Sequence, residues 1–212
     1  MKKGSLLLLT AVTLGSFFTH VASAQSSDSD DKLKLGIKAG LNVAYINDDD
    51  RVPSEYISSR MGFHVGVLAH YHLSDKWALQ PELIYSKEGA EYDWPGNSSI
   101  GRYQGKTDLN LLKFPILAQY MFGPSFRIQT GPQVGLIVNA NFEDKNNDEV
   151  RKLDIQRVDI AWAFGLGYLH NSGFGLDGRF NWGLTNIYPS GTYPGQGAYM
   201  RTWQFGVFYQ FK

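Results

Sequence analysis

The chain has 212 residues, and its 20 lysines and arginines balance its 20 aspartates and glutamates. This balance gives no reason to expect nucleic acid as a partner, and the absence of cysteine excludes disulfides and thiolate chemistry. Mean hydropathy is slightly negative, which argues against a bundle of membrane helices. A slightly negative mean hydropathy is compatible with a membrane β-barrel, because a barrel places its apolar residues at alternate positions of each strand.

The first 24 residues have the three parts of a secretory signal peptide. Lys2 and Lys3 form a basic start, 6–18 is an uncharged apolar stretch, and Ala22-Ser23-Ala24 is an A-x-A cleavage site. The apolar stretch is shorter than the ~20 residues that a membrane-spanning helix needs. We therefore predict a signal peptide at 1–24, a flexible N-terminal leader at 25–32 and a single domain at 33–212.

Large apolar residues alternate with glycine, polar or charged residues through most of this domain, a pattern that predicts β-strands. The pattern is clearest at 158–168 and 174–184, two runs that a short Gly-containing break joins as a hairpin. Each run has roughly the 9–11 residues with which a tilted strand crosses a bilayer. Eight strands are predicted, at about 33–45, 61–72, 77–86, 112–120, 126–138, 158–168, 174–184 and 202–211.

The connections between these strands alternate strictly between long and short, as in outer-membrane barrels with long extracellular loops and short periplasmic turns. The long loops are predicted at 46–60, 87–108, 139–156 and 186–198. We therefore predict an all-β fold, an eight-stranded antiparallel up-and-down transmembrane β-barrel in the bacterial outer membrane. The alternative is a soluble, lipocalin-like barrel, which would turn its bulky face inward.

The predicted lipid-facing positions carry aromatic residues near the strand ends and almost no charge. Aromatic rings at these levels are typical of the belts that lie among lipid headgroups. Arg201 is the clear exception to the absence of charge, and it lies next to a long loop. The main objection to the strands is Pro81, Pro115 and Pro132, since each proline removes a backbone donor.

The opposite faces of the strands carry charges that would point into the barrel. An eight-stranded barrel is just wide enough for side chains to fill, and buried charges have to be paired. We predict a structural polar network in the lumen, with Glu82 and Asp177 paired to lysine or arginine; a gated or narrow pore, or a small-ligand site, remains the alternative. The predicted members are Lys34, Lys38, Glu82, Lys113, Arg127, Asp159, Asp177 and Arg179.

No arrangement of residues predicts catalysis, a cofactor or a metal. His64, His70 and His72 share one lumenal face, but a metal site would need a further ligand such as Glu82, and polar filling is the favoured interpretation. His170 lies near Ser172 in a predicted periplasmic turn, without an acidic residue to orient it. We predict that the protein is not an enzyme.

Three segments of the domain have distinctive sequences: LQPELIYSKEG at 79–89, LKFPIL at 112–117 and RFNWGLTNI at 179–187. They resemble the QPELxYSxxG segment, the LxIPLL strand and the RYxxGLTNI segment of a known family, the PorT-like outer-membrane β-barrel proteins of Bacteroidetes. Residues 131–135 and 159–167 are similar to its fifth and sixth strands.

This resemblance implies a small, porin-like integral barrel that contacts outer-membrane lipid and is inserted by the barrel-assembly machinery. It implies location and fold more than activity. From the lumenal charges and the long loops we predict a structural or interaction role for exposed extracellular loops around a plugged lumen, with an unknown ligand. The alternative is a narrow pore or a secretion-associated barrel, since one named member of the family takes part in protein secretion and gliding.

Cleavage after Ala24 gives the first testable prediction. The intact mass of the protein purified from outer membranes is expected to match a chain that begins at Gln25. A mass that includes residues 1–24 would contradict the predicted signal peptide.

Overall fold

The computed structural model describes residues 32–48, 56–95, 102–146, 149–153, 155–187 and 197–211. The predicted signal peptide, and the predicted leader apart from Lys32, lie outside the described residues. The described strands are β1 (Leu33–Asp48), β2 (Ile57–His72), β3 (Trp77–Trp94), β4 (Tyr103–Phe122), β5 (Phe126–Asp144), β6 (Glu149–Lys152), β7 (Val158–Leu169), β8 (Phe174–Gly183) and β9 (Ala198–Gln210). In this part of the chain, no helix is both long enough and apolar enough to span a membrane.

Eight of these strands close into a ring. Neighbouring strands follow the order β4-β3-β2-β1-β9-β8-β7-β5, and pairing of β4 with β5 completes the circle. The antiparallel pairing of β1 with β9 runs from Gly36 opposite Gln210 to Asp48 opposite Ala198. The predicted eight-stranded antiparallel barrel is confirmed. Within the described residues, the ninth strand, β6, pairs with the end of β5 and stands outside the ring.

The barrel exposes its bulky apolar residues and buries its charges. Phe164 and Leu166 are 51% and 65% exposed, whereas Lys113 and Arg179 are each 1% exposed. A soluble barrel would show the reverse, because water would leave the apolar side chains inside. The lipocalin-like alternative is therefore wrong, and the outward apolar face is the one that contacts lipid.

Aromatic side chains contact one another on the outer face beside the short turns. Ring centroids are 5.0 Å apart for Trp77 and Tyr120, and 4.7 Å apart for Phe174 and Tyr209. Rings with a polar edge favour the headgroup level of a bilayer. These pairs mark the periplasmic boundary of the hydrocarbon.

The strands are longer than the sequence predicts, because pairing continues into segments predicted as loops. The strands β3, β4 and β5 contain 18, 20 and 19 residues, about twice the ~9–11 needed to cross the bilayer. We call the part beyond the membrane the outer extension: residues 87–94, 103–110, 139–144 and 149–152. The prediction of loops throughout 87–108 and 139–156 was wrong, because the outward positions of these strands are polar outside the lipid and so lack the apolar pattern of a lipid-facing strand.

The lipid-facing surface generates a prediction about Ile116, which is 50% exposed near the middle of the membrane part of β4. We expect Ile116→Arg to lower the free energy of unfolding by ~2–4 kcal/mol, because a cation near the midplane loses its hydration. Urea titration of the barrel in lipid vesicles measures this change.

The matched control is Val150→Arg in β6, where the side chain is 60% exposed and lies outside the lipid. We expect this change to be nearly neutral. Equal losses for the two variants would contradict the assignment of the outer face to lipid.

Candidate functional site

The centre of the lumen holds a salt bridge that spans its diameter. In the ring of eight strands, β3 and β8 lie opposite one another. Glu82 projects inward from β3 and Arg179 from β8, and the Arg179 guanidinium donates to both carboxylate oxygens at 2.9 Å. This bidentate geometry is the strong form of an arginine–carboxylate pair.

Two further charges complete this central cluster. Lys38 Nζ on β1 lies 2.8 Å from Asp177 Oδ2 and 3.5 Å from Glu82 Oε2, and Arg179 Nη2 lies 3.4 Å from Asp177 Oδ2. Two cations therefore balance two carboxylates, which offsets the cost of removing each charge from water.

A second ion pair lies nearer the extracellular side. Lys113 on β4 donates to Glu88 on β3, and Thr202 Oγ1 on β9 donates to the other Glu88 oxygen at 2.8 Å. Ser86 Oγ also donates to Glu88, at 2.7 Å. Glu88 is therefore bound from three strands and fully enclosed.

Neutral side chains extend the Glu88 site across the lumen. Asn42 Nδ2 donates to Ser86 Oγ at 2.8 Å, and Asn42 Oδ1 accepts from Gln204 Nε2 at 3.0 Å. The same oxygen lies 2.8 Å from His64 Nδ1. One amide thus joins strands β1, β2, β3 and β9 across the lumen.

An apolar layer, which we call the apolar cap, lies on the extracellular side of these charges. Leu109 and Leu111 are fully buried in it, and Ile187 joins it because its backbone bonds to Gln156 and Ala198 at 2.9 and 3.0 Å. The segment after β8 is thereby held against the barrel mouth. The buried members are Ile46, Ala90, Leu109, Leu111, Ile137, Ile187, Ala198 and Met200.

Three predicted members of the network make no ion pair with the described residues. Lys34 is partly exposed near the periplasmic end of β1. The Arg127 guanidinium lies 5.5 Å from the centre of the Phe208 ring and 3.5 Å from Gln119 Oε1. Asp159 is 2% exposed, and its Oδ1 has no described hydrogen-bond partner.

Sequence reasoning missed Glu88 and the apolar cap. Glu88 lies six residues after Glu82, so period-two alternation already places both on the inner face. It was assigned to a loop because no apolar outward pattern continues beyond Tyr85. The cap was missed because inward positions were expected to be polar, whereas Leu109 and Leu111 both point inward.

One small cavity lies among the described side chains of the lumen. This cavity of about 10 Å³, bordered by Lys38, Gln80 and Arg127, has room for about one water molecule. Two lumenal histidines bond to neutral partners: His64 Nδ1 lies 2.8 Å from Asn42 Oδ1, and His70 Nδ1 lies 3.4 Å from Gln80 Oε1. Among the described residues, no three His, Asp or Glu side chains are grouped so as to hold a metal ion.

A closed ring with lipid-facing aromatics outside and charges inside defines a small outer-membrane β-barrel protein. Residues 23–188 match the family model described as "Outer membrane protein beta-barrel domain", and the chain belongs to this family. The protein is therefore located in the bacterial outer membrane, within its lipid bilayer. No curated protein matches the sequence.

Solved structures with the same fold are distant in sequence. The chain is 14% identical to Neisserial surface protein A with a TM-score of 0.52, over 84% of this chain and 97% of that one. It is 13% identical to Ail, the attachment invasion locus protein of Yersinia pestis, solved with the heparin analogue sucrose octasulfate; the TM-score is 0.50, over 85% of this chain and 99% of that one. At these identities the likeness concerns the fold.

The bridge across the lumen generates a prediction about stability. We expect Arg179→Met to lower the free energy of unfolding by ~3–5 kcal/mol. The buried Glu82 carboxylate would then have Lys38 as its only cationic partner in the central cluster, and Lys38 also pairs with Asp177. The double variant Glu82→Met/Arg179→Met is expected to recover most of this loss, since Lys38 and Asp177 remain paired at 2.8 Å.

Urea unfolding in vesicles, followed by tryptophan fluorescence, compares the single and double variants with the unmodified protein. A double variant no more stable than Arg179→Met would contradict the pairing.

Proposed function

We propose that the protein is a closed, non-enzymatic barrel whose role is structural or interactive: it anchors in the outer membrane and displays an ordered extracellular surface. The observation that supports this most strongly is the bridge between Glu82 and Arg179. Because it joins opposite strands, it occupies the path that a solute would take.

Two further features, a second ion pair and the apolar cap, favour a plugged lumen rather than a narrow pore. The ion pair of Lys113 with Glu88 lies beyond the first bridge, and the apolar cap lies on the extracellular side of both. Apolar constrictions exclude ions because water leaves them. A solute would have to displace three successive layers.

The outer extension supports the display role. Lys106 Nζ on β4 lies 2.6 Å from Glu143 Oε2 on β5, and Arg102 bonds to both Asp93 oxygens at 2.8 and 2.6 Å. These bonds hold the pKa of the exposed Asp93 carboxyl below its usual range. Strand pairing and cross-strand charges give an ordered surface that offers both signs of charge to a partner.

We further propose that the protein belongs to the PorT-like branch found in Bacteroidetes and reaches the membrane through a signal peptide and the barrel-assembly machinery. Two of the segments that resemble this branch meet in the lumen. Gln80 and Glu82 of the QPE segment bond to each other at 2.7 Å, and Glu82 binds Arg179, the first residue of the RFNWGLTNI segment. The segments thus supply both halves of the central bridge.

Single-channel recording in planar bilayers tests the closed lumen. We expect no steady openings from the unmodified protein, because charge and apolar layers block the lumen in series. A variant that weakens all three layers, Glu82→Ala/Arg179→Ala with Lys113→Ala/Glu88→Ala and Leu109→Ser, is expected to show openings.

A heat-modifiable gel shift serves as the folding control for each sample. Steady openings of the unmodified barrel would overturn the plugged lumen and favour the narrow pore or secretion-associated barrel.

A further inference from the structure

Arg201 is a cation on the lipid-facing side of β9, at the extracellular aromatic level. It lies opposite Trp182 on β8 and Tyr45 on β1. Its guanidinium is 4.6 Å from the centre of the Trp182 ring and 5.8 Å from that of Tyr199. Cation–π contacts of this kind hold arginine beside an aromatic face.

The charge of Arg201 is not neutralised by the described part of the protein. Two other outward cations near this level, Arg60 and Lys87, lie 2.7 and 3.5 Å from Asp108. Arg201 instead donates through Nη1 to the carbonyl oxygens of Gly183 and Met200 at 2.7 and 3.2 Å. These bonds position the guanidinium while its Nε and Nη2 make no hydrogen bond within the described ranges.

An apolar groove begins beside Arg201 and continues toward the periplasm. Trp182 and Trp203 line its upper end, Phe205 and Leu166 its middle, and Tyr120 its lower end, with a volume of about 860 Å³. A second groove of about 690 Å³ continues it and shares Leu166 and Phe205. The groove therefore reaches from one aromatic level toward the other along the hydrocarbon.

The groove is open where Gly178 interrupts the bulky outer face. Gly178 lies between Leu166 and Phe205 in the strand register. A Cβ atom added there would meet only carbons of the Phe205 ring, at 3.6 and 3.8 Å, whereas one added at the inward Gly165 would lie 2.8 Å from a backbone oxygen. Packing requires a glycine at 165, while at 178 a side chain would fit and would fill the groove.

We propose that Arg201 and this groove form a binding site for an outer-leaflet lipid whose headgroup carries phosphate. The guanidinium binds the phosphate, for which its planar donors are well suited, and an acyl chain lies in the groove over Gly178. Charge complementarity favours this occupant. Arg201, which makes no ion pair with the described residues, lies at the headgroup level beside the upper end of the apolar groove. Arg201, otherwise unfavourable on a lipid-facing surface, gains a partner in the membrane itself.

The test uses the purified mature protein in detergent and two probes: bisphosphorylated lipid A and the same lipid after removal of its phosphates. Native mass spectrometry measures the lipid retained per barrel at increasing concentrations. We expect the unmodified protein to bind the phosphorylated lipid more tightly. We expect Arg201→Gln to weaken that binding about tenfold or more, the effect of losing a charged hydrogen bond.

Three further variants separate charge, groove and folding. Arg201→Lys is expected to keep part of the preference for phosphate, and Gly178→Leu to weaken binding of both lipids by filling the groove. Lys76→Gln, in the exposed periplasmic turn, is expected to bind like the unmodified protein. A heat-modifiable gel shift confirms that each variant is folded.

Equal binding of the two lipids by the unmodified protein would overturn the proposal. So would unchanged binding in folded Arg201→Gln or folded Gly178→Leu.

Discussion

The absence of water from the bilayer core is the constraint on which the rest of the structure depends. Every backbone N–H and C=O group in that layer needs a partner within the protein, and a sheet satisfies this only when it has no free edge. Pairing of β1 with β9 meets the condition by joining the two ends of the domain. Because successive side chains point to opposite faces of a strand, closure also determines which side chains meet lipid and which are enclosed.

The enclosed side chains then have to satisfy one another. Six charged groups in the described lumen form two balanced sets, around Arg179 with Glu82 and around Lys113 with Glu88. Buried pairs of this kind add little net stability over apolar packing, but removing one partner is costly. The interior therefore specifies one arrangement of the strands, while the outer face supplies the favourable contact with lipid.

Apolar and polar residues alternate along the strands. From this alternation the sequence predicts the eight-stranded ring, its inward and outward faces, and its location in the outer membrane. It also placed Lys38, Glu82, Asp177 and Arg179 on the inner face, where the structure brings them together. The predicted up-and-down order also puts the strands of Glu82 and Arg179 opposite one another. Alternation does not give the relative heights of side chains on opposite strands, so the particular pairing of Glu82 with Arg179 was not predictable. The outer extension and the apolar cap were missed because both lack the contrast between apolar and polar faces that reveals a strand in lipid.

The partners in the central bridge are 97 residues apart in the chain, and this separation affects folding. Contacts between distant parts of a chain form slowly, because the intervening segment must first lose conformational entropy. Until β8 reaches the sheet, Glu82 lacks the bidentate guanidinium and has only Lys38 of β1 as a cationic partner, at 3.5 Å, so it favours the aqueous side of the membrane. The bridge thus couples deep insertion of the N-terminal strands to arrival of the C-terminal ones, so that an incomplete barrel is disfavoured in the hydrocarbon.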